Sequence, residues 1–274
     1  MYAHHPASFL LALLVWISAI FTAVTLIFIV GYILIKGVPH LTPQLFELEY
    51  NSENVSMFPA IINTIFMIVL SLLVAGPLGI FAAVYLVEYA KKGNKLVSVV
   101  RVTAETLTGI PSIVYGLFGM LFFVTTLRWG YSMLAGAFTL AIMVLPVIMR
   151  TTEEALLAVP DTYREASFGL GAGKLRTIFV VILPSAVPGI FSGVILSIGR
   201  IVGETAALMY TAGTVAELPD SVMSSTRTLS VHMYSLASEG LYVNQAYATA
   251  VVLLVIVLVI NWLSGRIARK IKKG

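Results

Sequence analysis

Two ionised side chains interrupt an otherwise apolar stretch of this sequence. Arg200 and Glu204 lie four residues apart in the segment from Ala186 to Ala212, which contains no other charged residue. An ionised side chain in the middle of a membrane helix costs about 2.5–3.5 kcal/mol on insertion scales, so such residues usually face a bundle interior and mark a functional site. A guanidinium also presents a planar fork of N–H donors that matches an oxyanion. The pair therefore predicts an anion-translocation site or, alternatively, a buried ion pair that fixes the register between helices.

The spacing of the two residues leaves their mutual contact open. Residues i and i+4 share one face of a helix, and the midpoint of the apolar segment falls at Ser197–Gly199, close to Arg200. The Arg-before-Glu order is the weaker one for an ion pair within a helix, so partners on other helices are the alternative. Gly199 and Gly203 flank the pair and leave room for a neighbouring helix or a small ligand.

Composition and hydropathy place these charges in a membrane protein. Of the 274 residues, 59% are hydrophobic and 11% are charged, whereas a soluble domain carries about 25% charged residues. Six runs reach the length of about 20 predominantly apolar residues that a spanning helix needs: Phe9–Ile35, Pro59–Val87, Thr106–Leu127, Tyr131–Met149, Ala186–Ala212 and Ala246–Leu263. The first run has no basic region before it and no small-residue cleavage site, so we expect a retained helix rather than a signal peptide. The sequence thus predicts an all-α polytopic membrane protein with six transmembrane helices.

The distribution of lysine and arginine predicts how the helices are oriented. Thirteen of the 17 basic residues lie in the loops that follow the second and fourth runs and in the C-terminal tail. The opposite loops hold only Lys36, Arg128 and Arg227. The positive-inside rule therefore predicts that both termini are cytoplasmic. The acidic residues of the opposite loops are then extracytoplasmic: Glu47, Glu49, Glu53, Glu217, Asp220 and Glu239.

The runs and loops divide the chain into three parts. Residues 1–58 hold the first helix and an external loop, residues 59–265 hold a core of five helices, and residues 266–274 form a basic cytoplasmic tail. Two long loops interrupt the core, a cytoplasmic one at 151–184 and an external one at 213–245. The chain has no cysteine, which excludes disulfides and cysteine-based metal or nucleophilic sites.

The cytoplasmic loop is longer than a simple connection requires. Pro160 ends the preceding helix, Asp161 or Thr162 can cap a new one, and Glu165 in its first turns favours the helix dipole. Three glycines between residues 169 and 173 then favour a turn. The pattern predicts a short helix between two spans, a shape that suits docking into a groove of a soluble partner.

This loop resembles the EAA loop of the permeases of ABC importers. The family pattern reads Glu, Ala, a small residue, three spacers, Gly, nine spacers, an aliphatic residue, one spacer and Leu-Pro. Ser167 and Val181 are mild departures from it, and the matching positions are Glu165, Ala166, Ser167, Gly171, Val181, Leu183 and Pro184. The resemblance implies a bundle like that of the type I importer permeases. It also implies that the coupling helix contacts an ATP-binding subunit through Glu165, Ala166, Ser167 and Gly171.

Further stretches resemble the phosphate-specific branch of these permeases. That branch carries an R-x-x-G-E-T segment in the fifth span, matched by Arg200, Gly203, Glu204 and Thr205. Gly109–Gly119, the residues around Val231–Tyr234 and the start of the sixth run are similar to its A-type subunit. The resemblance extends from about residue 59 to residue 263. It implies a permease of the bacterial inner membrane that imports phosphate, with Arg200 and Glu204 in the transport pathway.

The resemblance also implies the partners. A second homologous permease subunit, two copies of an ATP-binding subunit and an extracytoplasmic phosphate-binding protein complete such an importer. The last of these would dock on the external loop 213–245. The chain has no G-x-x-x-x-G-K-[ST] phosphate cradle, so we expect the partner subunits to bind ATP and this chain to hold no cofactor. Closure of those subunits on ATP is then expected to pull on Glu165–Gly171. The segment Lys174–Pro184 would act as a lever that re-aims the fifth span and Arg200.

Three function classes can be weighed from the residues. A stand-alone secondary carrier would show inverted repeats or coupling-ion carboxylates in several spans, and only Glu204 is present. An intramembrane enzyme would need paired catalytic groups at membrane depth. The four histidines, at positions 4, 5, 40 and 232, lie outside the runs with no carboxylate at metal-ligand spacing, so no metal is expected. The EAA loop favours the third class, the importer permease. Importers of sulfate, tungstate or phosphonate share the fold, and one arginine does not separate phosphate from these alternatives.

Overall fold

The computed structural model describes the backbone of residues 6–91 and 93–271 and the side chains of residues 8–91 and 93–267. His4, His5, Lys92 and the end of the basic tail lie outside this part, so the expectations for them stay predictions. Every regular element within it is helical. The α-helices are α1 (Pro6–Gly37), α2 (Phe58–Val84), α3 (Lys95–Thr108), α4 (Ser112–Gly119), α5 (Met133–Leu157), α6 (Asp161–Gly169), α7 (Lys174–Arg176), α8 (Leu183–Gly203), α9 (Ala206–Met209), α10 (Leu229–Glu239) and α11 (Val243–Ile271). Turns of π-helix continue α2 over Tyr85–Tyr89 and α4 over Met120–Thr126, and join α7 to α8 over Thr177–Ile182.

The long helices confirm the predicted fold class. In the described part of the chain, five stretches are long and apolar enough to cross a membrane: Ser8–His40, Phe58–Tyr89, Met133–Leu157, Lys174–Gly203 and Val243–Ile267. A bent pair, Lys95–Thr108 and Ser112–Thr126, supplies a sixth when it counts as one span. The orientation of the termini stays a prediction.

The third predicted span, Thr106–Leu127, is interrupted near its start. Its first residues belong to the end of α3, and the helical stretch Ser112–Thr126 is bent by 103° from α3. Pro111 accounts for the break, because proline has no N–H to donate and restricts the preceding residue to extended conformations. The Tyr115 hydroxyl donates to the Leu107 carbonyl oxygen at 2.7 Å and so bridges the two helices across the bend. The uninterrupted helix expected from apolar composition is therefore replaced by an angled pair.

The fifth predicted span, Ala186–Ala212, is shifted along the sequence. The continuous helical stretch begins at Lys174 and ends at Gly203, and the short helix α9 follows separately. Glu204 lies beyond the helix end, with extended backbone angles of φ −73° and ψ 127°. The expectation of one helix carrying both charges near its midpoint is corrected by this break: Arg200 lies in the last turn of α8.

Helices α2, α5 and α8 form the packed centre of the bundle. Glycine removes the Cβ that would otherwise hold two helices apart, so their backbones approach closely where it occurs. A Cβ added at these glycines would meet the neighbouring helix, and the pairs are Gly79 with Ile148, Gly189 with Ala155 and Gly193 with Thr151. We refer to α2, α5 and α8 as the central block.

Helix α1 lies at the periphery of the bundle. None of the residues in its apolar window is buried. It packs on α11, where the Tyr32 and Tyr247 rings meet edge to face at 5.9 Å between centroids. Such an apolar surface suits contact with lipid or with another subunit.

Candidate translocation site and coupling helix

Glu204 occupies the gap between α8 and α9. Its side-chain Oε1 accepts a hydrogen bond from the Ala207 backbone N–H at 3.0 Å, which satisfies a donor in the first turn of α9. Its carbonyl oxygen accepts from the Ser230 hydroxyl at 2.6 Å, which ties the gap to α10. Glu204 is buried. The carboxylate therefore stabilises the break in the helix and does not bond to Arg200.

Arg200 is half-buried in the last turn of α8. Within the described residues no carboxylate forms an ion pair with it. The guanidinium interacts electrostatically with the phenol of Tyr115, a buried residue of α4. A Cβ added at Gly199 or Gly203 would meet no atom within 4 Å, so space is open beside the arginine. A guanidinium without a carboxylate, next to open space, can bind an oxyanion.

The helices that follow the two breaks, α4 and α9, contact each other near this site. A Cβ added at Gly116 of α4 would come within 2.8 Å of the Ala207 Cα atom in α9, so the backbones touch there. Irregular backbone at membrane depth is tolerated where it is buried in protein or lines a cavity, and transport proteins often form substrate sites at such helix breaks. Arg200 thus lies in the last turn of α8, directly before the break that leads into α9, the helix that packs on α4.

The coupling segment forms the expected short helix, α6. Glu165 and Ala166 are exposed on it, and Leu170 is 90% exposed at its end. Gly171 adopts the left-handed φ of +82° that favours glycine and turns the chain towards α7. Asp161 lies in the first turn and forms no cap with its side chain, contrary to the capping role considered from sequence.

Ser167 faces the interior and not the exposed side of α6. It is buried, and its hydroxyl lies 2.8 Å from the Thr177 hydroxyl in the π-helical turn that leads into α8. The resemblance implied that Ser167 contacts the ATP-binding subunit together with Glu165. The structure shows that Ser167 attaches the coupling helix to its own bundle, and its contact with the ATP-binding subunit stays a prediction.

Arg164 is a residue that the sequence reasoning did not single out. Its Nε and Nη2 atoms donate to Glu88 Oε1 at 3.1 and 2.7 Å, and both side chains are largely buried. The partner lies 76 positions earlier in the sequence. The one sequence feature that could have indicated this pair is Glu88, a single acidic residue directly after the second apolar run. Such a residue usually indicates only the end of a helix.

A separate buried cluster joins the segment before α2 to α10. The Arg227 guanidinium lies 4.8 Å from the centroid of the Tyr50 ring, and the His232 ring meets Tyr50 edge to face at 6.2 Å. Burial, and next the positive charge of Arg227, lower the pKa of His232 from 6.5 to about 3. His232 is therefore neutral at physiological pH and adds no charge to the bundle.

Comparison with known proteins places the chain in a family. A family described as the inner membrane component of binding-protein-dependent transport systems matches residues 75–273. The chain belongs to this family. A probable ABC transporter permease of Bacillus subtilis, YqgI, is 34% identical over 277 residues, covering 93% of this permease and 94% of that protein.

Other relatives have names that state a substrate. The phosphate transport system permease protein PstA of Pasteurella multocida is 40% identical over 205 residues, covering 74% of this permease and 72% of that protein. The PstA protein of Haemophilus influenzae is 32% identical over 250 residues, covering 90% and 88%.

Solved structures show the same fold. A chain of a bacterial alginate ABC transporter, in complex with an alginate-bound periplasmic protein, has a TM-score of 0.73 over 97% of this permease and 96% of that chain, at 17% identity. A chain of the inward-facing methionine transporter MetNI has a TM-score of 0.60 over 78% and 94%, at 21% identity.

These findings confirm the family expected from the EAA loop. The protein is a permease subunit of an ABC importer and not an enzyme, and it is an inner-membrane protein. Membership of the family implies ATPase and binding-protein partners. The roles of Arg200, Glu204, Glu165, Ala166, Ser167 and Gly171 stay predictions.

Proposed function

We propose that this permease carries inorganic phosphate into the cytoplasm, with energy from ATP hydrolysis in a partner subunit. The observation that carries the proposal is the position of Arg200 in the last turn before the break after α8, where no carboxylate of the described residues pairs with its guanidinium. The R-x-x-G-E-T segment and the relatives named as phosphate permeases support phosphate as the substrate. Sulfate, tungstate or phosphonate is the alternative, since the YqgI relative has no stated substrate.

The proposed role of Arg200 is to compensate the charge of the anion as it crosses the apolar region. Desolvation of phosphate is costly, and a guanidinium offers both charge and paired N–H donors in return. Glu204 assists by holding the break after Gly203, through its bond to the Ala207 N–H. Its negative charge close to the pathway also limits how strongly an anion is retained, so that release remains fast.

The proposed complex contains a second homologous permease, two ATP-binding subunits and an extracytoplasmic phosphate-binding protein. Glu165, Ala166 and the exposed Leu170 lie on the side of α6 that is free to enter a groove of an ATP-binding subunit. Both termini are then cytoplasmic, as the distribution of basic residues predicts. The ATP is bound by the partner subunits, and this chain holds no cofactor.

The proposal is tested by transport with the complete complex. The complex is reconstituted into liposomes, supplied with ATP and with the loaded binding protein, and uptake of labelled phosphate is measured with and without excess sulfate, tungstate or phosphonate. We expect ATP-dependent phosphate uptake that excess sulfate does not reduce. Preferential uptake of another oxyanion would overturn the phosphate assignment and leave the importer class intact.

A further inference from the structure

The guanidinium of Arg164 attaches the coupling helix to the bundle, and all of its N–H donors form hydrogen bonds. Besides the two bonds to Glu88, Arg164 donates from Nη2 to the Leu156 carbonyl oxygen at 3.0 Å. Its Nη1 donates to the Val159 carbonyl oxygen at 3.0 Å and to Asp161 Oδ1 at 3.1 Å. A guanidinium has five N–H donors, and these five bonds use all of them. One side chain therefore joins α6 to the end of α2 and to the end of α5.

A second contact reaches the same end of α2. The Lys174 ammonium, at the start of α7, lies 4.7 Å from the centroid of the Tyr89 ring. Glu88 and Tyr89 are neighbours in the π-helical turn Tyr85–Tyr89. The segments before and after Gly171, α6 and α7, therefore both contact the π-helical turn Tyr85–Tyr89. The Ser167–Thr177 contact completes the attachment on the side of α8.

The ends that Arg164 joins belong to helices that cannot slide freely past one another. In the central block α2 packs on α5 at Gly79, and α5 packs on α8 at Gly189 and Gly193, with no space for a Cβ at any of the three. Closely packed helices move as rigid bodies, because packed interfaces do not deform continuously. A displacement of α6 therefore moves α2, α5 and α8 together.

We propose that Glu88 and Arg164 are positioning residues for energy coupling, which make the coupling helix drive α2, α5 and α8 as one block. This inference rests on the proposed ATP-driven transport and sharpens it. The sequence suggested that Lys174–Pro184 acts as a lever that re-aims the fifth span and Arg200. The structure provides a parallel connection through α2, and that connection passes through the Glu88–Arg164 ion pair.

The ratio of phosphate transported to ATP hydrolysed tests this role in the reconstituted complex. We expect Glu88→Gln, Arg164→Gln and the double variant to lower that ratio to a similar extent, by about fivefold or more, while ATP hydrolysis continues. Equal effects of the single and double changes identify the pair as one unit. Glu154→Gln is the matched control, since it removes an exposed ion pair with Arg150 at the end of α5, and we expect it to leave the ratio unchanged.

A purely structural role gives a different result. If uptake and ATP hydrolysis fall together and the ratio stays at its unaltered value, the pair only holds the docking surface in place and the proposal is wrong. An unaltered complex that transports another oxyanion would overturn the phosphate assignment alone, and the ratio is then measured with that oxyanion.

Cross-linking tests directly whether the coupling helix and the central block move together, even where the glutamine variants assemble poorly. The chain has no cysteine, so Glu88→Cys with Arg164→Cys introduces one defined pair for a short bifunctional thiol reagent. We expect low coupling before the reagent is added and a rise in the transport ratio once the two ends are joined, with no rise in either single-cysteine variant. If joining the ends blocks transport, the coupling helix has to move relative to α2 and the proposal is overturned.

Discussion

At the scale of single residues, Glu204 combines a structural bond with a charge. The bond to the Ala207 N–H needs only an oxygen acceptor, whereas an effect on anion release needs the negative charge. Glu204→Gln retains an acceptor for the Ala207 N–H, so we expect a smaller loss of folding stability than in Glu204→Ala. Glu204→Ala leaves the N–H unpaired and should cost about 1 kcal/mol.

Transport by the glutamine variant separates the two contributions. We expect phosphate uptake to decrease in Glu204→Gln while the thermal stability of the purified complex is preserved. Unchanged uptake and unchanged anion release would show that the carboxylate acts only as a cap.

His232 makes the folded protein sensitive to acid. The unfolded chain binds a proton at this residue near pH 6.5, the folded chain only near pH 3. Because the unfolded state holds more protons between these values, stability falls as the pH decreases through this window, by about 1.4 kcal/mol per pH unit. His232→Gln does not titrate, so we expect its thermal stability to decline less steeply between pH 7 and pH 4. His40→Gln, outside the cluster, is the control, and an identical slope in both variants would contradict the assignment.

At the scale of helices, the central block depends on glycine contacts. A Cβ at Gly193 would overlap the Thr151 hydroxyl and come within 2.7 Å of the Thr151 Cβ, whereas a Cβ at Gly199 on the same helix would meet nothing within 4 Å. We therefore expect Gly193→Ala to destabilise the protein by about 1–3 kcal/mol through overpacking. Gly199→Ala should be neutral or stabilising by up to about 1 kcal/mol. Equal melting temperatures of the two purified variants would show that α5 and α8 separate easily.

The positions of the long helices could be predicted because membrane insertion depends mainly on the apolar content of a stretch. Five of the six runs correspond to continuous helical stretches that meet the spanning criterion. Pro111 favours the break in the third run, whereas the geometry of the bend depends on a contact made in the folded state, the Tyr115 bond to Leu107. The break after Gly203 could not be predicted, because the apolar composition continues through it and the break depends on the Glu204 bond to Ala207.

In the coupling segment, too, some features could be predicted from the local sequence and others could not. The EAA pattern located the exposed Glu165 and the turn at Gly171, both determined by local sequence. It did not reveal that Ser167 faces Thr177, because the face of a short helix is set by what it packs against. The Glu88–Arg164 pair is formed between distant parts of the chain, and Glu88 at the end of the second run does not by itself identify its partner.

At the scale of the whole molecule, the predicted orientation can be measured directly. The chain has no cysteine, so Glu49→Cys and Glu165→Cys each create a unique and exposed thiol. A membrane-impermeant maleimide should label position 49 in intact spheroplasts and position 165 only after the membrane is permeabilised. The reverse pattern would contradict the placement of both termini in the cytoplasm and of α6 at the ATP-binding subunits.

The central claim is that Arg200 binds the transported anion, and phosphate uptake by cells carrying Arg200→Ala tests it most directly. Assembly is verified by co-purification of the ATP-binding subunit, and Arg266→Ala, an exposed arginine on α11, is the matched control. We predict that uptake falls by about tenfold or more in Arg200→Ala with the complex intact, and that the control is unaffected. Normal uptake by an assembled Arg200→Ala complex would contradict the account and leave Arg200 a structural residue of an importer with another pathway.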